Sequence, residues 1–436
     1  MKRLHLVELN EVNFDLVEKY LKKYPGNFPN FEKLLTHVGA RTYSEREYEN
    51  IEPWIQWVSV HTMLDFAEHK VFRLGDMNSS DLPQIFELVE KCGYKVGCTS
   101  PMNTVNRLSE PAFFIPDPWT ATNPDESFWS TAIHKALVQA VNDNAKSKIT
   151  FGTLFTLGLA FLFFSSKANW KTYAKLVAKR KKSWNKALFL DLFLSDLHFS
   201  RSKKANVDFS TIFFNAFAHI QHHYFANSQF YEGNVINPGE YISQSDDPIF
   251  DALFVYDKIF GKFLSDTDYD FILATGLRQV PVEQTKLYYR LKNHKEFLTL
   301  IGLKGFQVFP RMTRDFLLKF ESAELHEKNI QILRDATLNG QMLFEGIEER
   351  DEGVFVTLTY DRELEGQIKI GNHNISVSPV DAFVFVAIKN GHHDSTGYVY
   401  TSSEKIGLEL QSKSQHVSKI GSYILQYFKR DQIALD

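Results

Sequence analysis

"RLHLVELNEVNFDLVEKYLKKY", from Arg3 to Tyr24, decides the fold class, because a strand-like run is followed by a short polar turn and a helical pattern. The strand covers "RLHLVELN" and the helix covers "FDLVEKYLKKY". The same alternation returns in "VDFSTIFFNAF" (Val207–Phe217), "DPIFDALFVYDKIFGKFLSD" (Asp247–Asp266) and "YDFILATG" (Tyr269–Gly276). Strands that alternate with helices predict an α/β fold with a mainly parallel central sheet flanked by helices.

The composition is that of a globular protein, with 44% hydrophobic and 23% charged residues in 436. This length predicts one large α/β domain with insertions, or two domains. A net charge of −4 argues against a nucleic-acid-binding protein. The first residues lack the apolar run of a secretion signal, so a cytoplasmic location is expected. The later part, from Gly353 to Gly391, predicts β-rich, hairpin-like structure.

Residues 125–205 differ from the rest of the chain and predict a helical insert. An uncharged, mostly apolar run spans Ile149 to Ser166, and residues 167–204 then carry 11 Lys or Arg against 2 Asp. The run is barely long enough to span a bilayer, and its Gly, Ser and Thr content argues against a span. Two interpretations stay open: an apolar and basic element on an anionic membrane surface, or a helical hairpin buried as a cap on the main domain.

"FFNAFAHIQHHYF", from Phe213 to Phe225, places three histidines within five residues. If the chain becomes helical after Asn215, then Asn215, His219 and either His222 or His223 share one face. That arrangement suits a metal ion or an anionic ligand. The alternative is a half-buried helix whose histidines make ordinary hydrogen bonds.

Several stretches, in order, resemble the alkaline phosphatase superfamily, and within it the type I phosphodiesterase and sulfatase-like branch. In "LVELNEVNFDLVEKYL", Asn10 stands where the family carries a metal-binding Asp. In "NIEPWIQWVSVHTM", Pro53 leads to Gln56 at the place of the family's Thr or Ser nucleophile. "NAFAHIQHH" resembles the D-x-x-G-H element, with Asn215 in place of the Asp and His219 retained.

Two later stretches extend the resemblance. "VYDKIFGKFLSDTDYDFILATGLRQ" follows the family's helix and strand, but Gly276 and Leu277 replace the Asp and His of its S-D-H-G run. "HDSTG", which begins at His393, matches the late H-x-x-x-G element that supplies the last metal histidine. The resemblance implies an alkaline-phosphatase-like α/β domain over residues 1–124 and 206–436, with 125–205 as the insert.

The departures from the family motifs change the chemistry that the resemblance implies. Two metal ions normally activate the nucleophile and stabilise the transferring group in this family. Neutral side chains at Asn10, Asn215 and Gly276 supply no negative charge, so a dinuclear centre is not expected. An amide at Gln56 is no practical nucleophile. Amides and imidazoles instead suit the hydroxyls of a neutral polyol.

The expected site therefore combines acid–base residues with a larger set that contacts substrate. The expected acid–base residues are His219, His393 and Glu11. The expected substrate-binding residues are Asn10, Gln56, Trp57, Asn215, His223, Arg278 and Gln279. Arg278 either clamps a phosphate or forms a surface salt bridge. Glu8 and Glu52 are further candidate bases, and Glu8 is alternatively a buried structural acid.

No resident cofactor is expected; the alternative is one divalent metal at His219, His223 and His393. The function that these expectations favour is a metal-independent or one-metal transferase or hydrolase. It would act on a phosphorylated or nucleotide-activated sugar in surface-polysaccharide assembly. The alternatives are a catalytically inactive scaffold, or a metal-dependent phosphodiesterase with shifted ligands. The expected partners are the sugar phosphate or nucleotide sugar, and an anionic membrane or lipid-linked acceptor that residues 149–204 meet on the inner face of the membrane.

Overall fold

The computed structural model describes residues 3–142, 151–311, 314–350, 353–410 and 414–429. Its strands are β1 Arg3–Leu9, β2 Val38–Tyr43, β3 Val96–Thr99, β4 Phe113–Ile115, β5 Phe209–Phe214, β6 Tyr269–Ala274, β7 Arg278–Leu291, β8 Phe306–Pro310, β9 Asp315–Phe320, β10 Ala336–Leu338, β11 Gln341–Met342, β12 Gly346–Arg350, β13 Gly353–Thr357, β14 Ile368–Ile370, β15 His373–Asn374, β16 Phe383–Asp394, β17 Thr396–Thr401 and β18 Gln415–His416. Its helices are α1 Phe14–Lys23, α2 Pro29–Leu34, α3 Pro53–Thr62, α4 Phe66–His69, α5 Ile85–Lys91, α6 Phe128–Asn142, α7 Phe151–Phe164, α8 Trp170–Ala178, α9 Trp184–Ala205, α10 Ala216–Tyr224, α11 Pro248–Ser265, α12 His294–Leu300, α13 Ala323–Arg334, α14 Pro379–Ala382, α15 Glu404–Leu410 and α16 Lys419–Lys429.

A central sheet of eight described strands has the order β18-β2-β17-β6-β1-β5-β3-β4. Strand β1 lies between β5 and β6 and runs parallel to both. Strand β17 is antiparallel to both of its neighbours, β2 and β6. The predicted α/β fold with a mainly parallel sheet and flanking helices is confirmed.

The two faces of β1 face two different hydrophobic cores. Val7 and Leu9 point into a core shared with α1, α2, α9, α10 and α11. Leu4 and Leu6 point the other way, into a core shared with α3, α5 and α16. Because successive side chains of a strand alternate between faces, this apolar run is buried on both sides. Each such leucine stabilises the fold by about 1.5–3 kcal/mol.

The predicted β-rich later part forms a lobe with a hydrophobic core of its own. Strands β7 and β16 pair as a long antiparallel ribbon that leads from the main sheet into this lobe. Two four-stranded sheets follow, in the orders β12-β13-β9-β8 and β11-β10-β14-β15. Their core includes Leu298, Phe316, Leu338 and Val356, which are fully buried. We call residues 289–383 the distal lobe.

The described part of the insert is helical, as predicted, and consists of α6 to α9. Residues 149–150 of the apolar run lie outside the described residues. Helix α9 belongs to the main core, where Leu188, Leu192 and Leu197 are fully buried. Among the helices that the structure describes, each is too short or too polar to cross a membrane.

Candidate active site

Strands β1, β5 and β6 end side by side, and the residues that follow them meet at the carboxyl edge of the sheet. The side-chain amide of Asn10 donates to Oδ1 of Asn215 over 2.8 Å. The backbone N–H of Glu11 donates to the carbonyl of Thr275 over 3.0 Å. Open parallel sheets bind ligands at this edge. Asn10 and Asn215, both expected in the site, therefore meet at adjacent strand ends.

Glu11 is the buried carboxylate at the centre of this edge. Its backbone is left-handed, with φ of 57°, a conformation that non-glycine residues adopt rarely. Asn10 Nδ2 donates to Glu11 Oε1 over 2.9 Å, and Gln279 Nε2 donates to Oε2. Gln221 Nε2 donates to the backbone carbonyl of Glu11 over 2.8 Å. Three amides therefore fix the direction in which the carboxylate points.

Two histidines converge on the same oxygen of Glu11. His222 Nε2 lies 3.0 Å from Glu11 Oε2, and His393 Nε2 lies 3.2 Å from it. The two Nε2 atoms are 3.4 Å apart. In a tetrahedral site with zinc–ligand distances of about 2.0 Å, neighbouring ligand atoms are about 3.3 Å apart. The three atoms, one each from Glu11, His222 and His393, thus have the spacing of one face of such a site. Among the described residues, these three form the group whose geometry could hold a metal ion.

His393 reaches the cluster from the end of the β7–β16 ribbon, where it pairs with Gln279. Its second ring nitrogen, Nδ1, lies 3.3 Å from Oε2 of Glu52, the residue before α3. A carboxylate that accepts the Nδ1 proton leaves Nε2 with its lone pair directed at the cluster. Glu52 thus orients His393, and Glu52 is itself part-exposed at the edge of the site.

The charges of the cluster shift its pKa values strongly. Burial lowers the pKa of His393, but the carboxylates of Glu11 and Glu52 outweigh this and raise it to about 10. Burial raises the pKa of Glu11, but His393 and His222 outweigh this and hold it well below its usual value. Such opposed shifts, produced by burial and specific charge partners, are typical of functional sites.

Helix α10, which carries His222, is anchored at its N-terminus by Asp191 of α9. Asp191 Oδ2 accepts from the backbone N–H of Asn215 over 3.1 Å and from that of Ala216 over 2.7 Å. The hydroxyl of Tyr256 on α11 donates to the same oxygen over 2.5 Å. Burial raises the pKa of Asp191 to about 6, against the effect of these hydrogen bonds. A residue of the predicted insert therefore positions the histidine helix.

Three expected substrate-binding residues, Gln56, Trp57 and Gln279, have no exposed surface. Trp57 Nε1 donates to Oδ1 of Asn10 over 3.0 Å, and Gln56 Nε2 donates to the carbonyl of Asn50 over 3.1 Å. A side chain without exposed surface cannot touch substrate in this conformation. The expectation of direct contact is corrected for these three residues. Gln279 binds Glu11, Trp57 binds Asn10, and Gln56 binds the backbone of the loop before α3.

The alternative metal ligands expected from the sequence, His219 and His223 together with His393, are not brought together as a group. The His219 and His223 rings lie 4.6 Å apart, and His223 Nδ1 is 3.2 Å from the carbonyl of Ile388. His222 instead meets His393 and Glu11. We correct the alternative ligand set accordingly. His219 keeps an exposed ring on α10, one turn before His222.

Arg278 makes the salt bridge that the sequence left open as its alternative. Its guanidinium lies 2.6 Å from Asp15 and 2.8 Å from Asp394, and it donates to the Tyr398 hydroxyl over 3.2 Å. Glu8 is likewise structural. It is fully buried and lies 3.1 Å from His61 Nε2, while the Thr211 hydroxyl donates to it over 2.5 Å.

His222 was absent from the residues predicted for the site, although it lies in the histidine stretch that the sequence singled out. Helical spacing from Asn215 placed either His222 or His223 on the site face, and periodicity alone could not choose between them. The packing of α10 selects His222. Gln221 donates to the backbone carbonyl of Glu11, and in the helix held this way the His222 side chain reaches the Glu11 carboxylate.

The comparisons with known proteins are confined to distant structural similarity. No protein-family model and no curated protein matches the chain. Phosphonoacetate hydrolase from Sinorhizobium meliloti 1021, in complex with phosphonoformate, is 9% identical, with 98% of this chain and 96% of that chain covered and a TM-score of 0.42. The alkaline phosphatase of the Antarctic bacterium TAB5 is 10% identical, with coverage of 98% and 99% and a TM-score of 0.42. Murine ectonucleotide pyrophosphatase/phosphodiesterase 5 is 8% identical, with coverage of 98% and 95% and a TM-score of 0.40.

Identities and TM-scores this low say nothing about activity. The similar structures cover nearly the whole chain.

Proposed function

We propose that the chain is a phosphoester hydrolase or transferase that works at Glu11, His222 and His393 with one divalent metal ion, zinc by donor type. The observation that carries the proposal is the triangle of ligand atoms with sides of 3.0, 3.2 and 3.4 Å. Two imidazoles and one carboxylate are a donor set typical of catalytic zinc, which keeps a fourth position for water or substrate. Phosphoester chemistry is what the resemblance of the motifs implies.

The residues do not fit the second ion of a dinuclear centre. At the places where the family has carboxylates, Asn10 and Asn215 bond to each other, and Asn10 Oδ1 accepts from Trp57. Gly276 has no side chain to offer, and a Cβ there would already contact the Trp57 ring at 3.4 Å. These neutral positions are satisfied within the protein, so they support the ligand Glu11 rather than a second cation.

A single bound ion would supply Lewis-acid stabilisation of a phosphoryl oxygen. The protein's own groups would do the rest. Asn10 and Gln279 orient the carboxylate of Glu11 by hydrogen bonds, and Glu52 fixes the tautomer of His393. With Gln56 at the nucleophile place, the attacking group is the acceptor itself, a water or a sugar hydroxyl. Glu52 is placed to accept its proton.

The substrate class we propose is a phosphorylated or nucleotide-activated sugar used in surface-polysaccharide assembly. An exposed aromatic ring supports a sugar at this edge: Tyr48 is 55% exposed, and its ring centroid lies 6.3 Å from that of His392, the neighbour of His393. Aromatic rings present an apolar face and a polar tip, which suits the two surfaces of a sugar.

A second candidate, a catalytically inactive scaffold, is favoured by a different observation. With His393 protonated between Glu11 and Glu52, the cluster is electrostatically satisfied without any ion. The two candidates differ in whether the purified chain binds a stoichiometric metal ion.

The test is elemental analysis and zinc titration of the full chain, with turnover of sugar phosphates and nucleotide sugars measured in parallel. We expect one ion per chain, lost in His222→Ala and retained in the matched control His373→Ala, a histidine exposed on the distal lobe. Glu52→Gln should weaken zinc binding by about 10- to 100-fold. Wild-type protein that binds no ion would refute the metal site. Stoichiometric zinc without turnover of any phosphoester would support the metal site and refute the proposed catalysis.

A further inference from the structure

We infer that the outer face of α7 and α8 binds an anionic lipid bilayer. This docking face is defined by five exposed apolar side chains, Phe155, Leu162, Phe163, Trp170 and Val177, with the lysines around them. It is carried by residues outside the candidate active site, and it does not depend on the proposed function.

The apolar side chains form two stripes with helical spacing. Phe155 and Leu162 are seven residues apart on α7, as are Trp170 and Val177 on α8, so each pair lies on one side of its helix. All five side chains are between 50 and 69% exposed. The described residues therefore leave the face uncovered, and large exposed apolar patches mark sites of protein or membrane contact.

The opposite side of the two helices is fixed to the main body. The Phe161 ring lies 4.9 Å from that of Tyr173 and 5.7 Å from that of Phe189 on α9. Tyr173 is buried and donates to Asp196 over 2.8 Å. Because α9 holds this inner side, the helices present the docking face outward as a rigid surface. Next to Phe161, the side chains of Leu162 and Phe163 are exposed.

The charge around the face has one sign. No Asp or Glu occurs from residue 151 to residue 190. Between residues 167 and 181, six exposed cations form no ion pair with another described residue; they are Lys167, Lys171, Lys175, Lys179, Arg180 and Lys181. Lys182, which the sequence also suggested for membrane contact, is corrected: it pairs with Asp246 at 2.6 Å.

This combination favours a lipid surface over a protein partner. Protein–protein interfaces are depleted in lysine relative to other surfaces. Helices that lie in a membrane interface combine aromatic and leucine side chains with Lys and Arg, and they gain from anionic lipids. Helix α7 has 14 residues, about 21 Å of helix, which is shorter than a bilayer core of about 30 Å. The face therefore lies on the membrane.

The experiment is flotation of the full chain with vesicles of phosphatidylcholine, alone or mixed with phosphatidylglycerol, at low and high salt. We expect flotation with the anionic vesicles, reduced by salt because exposed charges are screened. Leu162→Ser with Phe163→Ser should lower binding by at least about tenfold. Lys171→Gln with Lys175→Gln should lower it by about 25-fold, roughly fivefold per lysine.

Matched controls lie elsewhere on the surface: Leu408→Ser, a 72% exposed leucine on α15, and Lys295→Gln with Lys419→Gln. They should float like the wild type. Failure to float with either vesicle would overturn the inference, as would flotation that the α7 and α8 variants leave unchanged. A dimer in solution that Leu162→Ser with Phe163→Ser dissociates, without vesicle binding, would assign the face to contacts between copies of the chain.

Discussion

At the scale of single residues, the carboxylate of the site is Glu11, one residue after the position that the resemblance suggests. The resemblance puts the family's Asp at Asn10, whereas the structure puts the acid at Glu11. The left-handed backbone at Glu11, with φ of 57°, turns its side chain towards His222 and His393. Asn10 then contributes both sides of its amide, donating to Glu11 and accepting from Trp57.

This assignment predicts that an aspartate at position 10 destabilises the protein. Asn10→Asp would place a second buried carboxylate 2.9 Å from Glu11 Oε1, where the amide now donates a hydrogen bond. We expect the free energy of unfolding to fall by about 2–4 kcal/mol, because the two hydrogen bonds that Asn10 Nδ2 donates, to Glu11 and to Asn215, are lost and a like charge is added. Urea unfolding without added metal measures the change.

The matched control is Asn374→Asp, an exposed asparagine on β15. Its free energy of unfolding should stay within about 0.5 kcal/mol of the wild type. Unchanged or increased stability in Asn10→Asp would contradict the hydrogen-bond scheme around Glu11 and favour a metal at the family's position.

At the scale of elements, α10 is held from three sides. Asp191 of α9 accepts hydrogen bonds from its N-terminus. The hydroxyl of Tyr256 on α11 accepts from the backbone N–H of Phe217 and donates to Asp191, and Gln221 donates to the backbone carbonyl of Glu11. The insert thus contributes to the site through one buried carboxylate. Helix N-termini favour negative charge, which explains the choice of Asp there.

The raised pKa of Asp191, about 6 in the folded protein, predicts a pH-dependent contribution to stability. In the unfolded chain the pKa is about 3.9, so between about pH 4 and 6 the folded state binds the proton more tightly. The free energy of unfolding that this group contributes therefore falls as pH rises through that window. Asp191→Asn removes this titratable group and therefore its pH-dependent contribution to the free energy of unfolding. Its stability relative to the wild type should rise by about 1–3 kcal/mol between pH 4 and pH 7.

Urea unfolding of both proteins at several pH values checks this expectation. The matched control is Tyr256→Phe, which removes one hydrogen bond to Asp191 but keeps the carboxylate. Its stability should fall with rising pH at least as steeply as that of the wild type, because loss of this hydrogen bond raises the pKa of Asp191 further. A stability difference between Asp191→Asn and the wild type that does not change with pH would show that Asp191 titrates normally.

At the scale of the whole molecule, the distal lobe and the main sheet share the β7–β16 ribbon. One end of the ribbon carries Gln279 and His393 to Glu11. The other end enters a core that is separate from the two cores of the main sheet. A chain with separate cores need not unfold in one step.

We expect Leu338→Ala to destabilise the distal lobe selectively. Leu338 is fully buried in the lobe core, so its truncation should cost about 2–5 kcal/mol there. Hydrogen exchange followed by mass spectrometry should show faster exchange in residues 289–383 and little change in β1, β5 and β6. Leu6→Ala, in the core beneath β1, is the matched variant and should show the reverse. Uniformly faster exchange in either variant would indicate a single cooperative unit.

The sequence by itself determined the α/β class, the strands on either side of β1, the helical nature of the insert and the β-rich later part. It did so because apolar periodicity and turn residues are local properties. It also placed Asn10, Glu11 and Asn215 at or just after the ends of strands, where parallel strands bring their residues together; His393 instead lies on the antiparallel β7–β16 ribbon.

Only the tertiary structure decided which of these side chains meet. The choice of His222 over His219 and His223 depends on how α10 is rotated against Glu11. The pairing of Glu52 with His393 joins the start of α3 to the end of β16, 341 residues later in the chain (393 less 52). The burial of Gln56 and Trp57 likewise depends on packing beneath the sheet edge. Contacts between distant segments carry no local sequence signal, because side-chain direction is set by packing of whole elements.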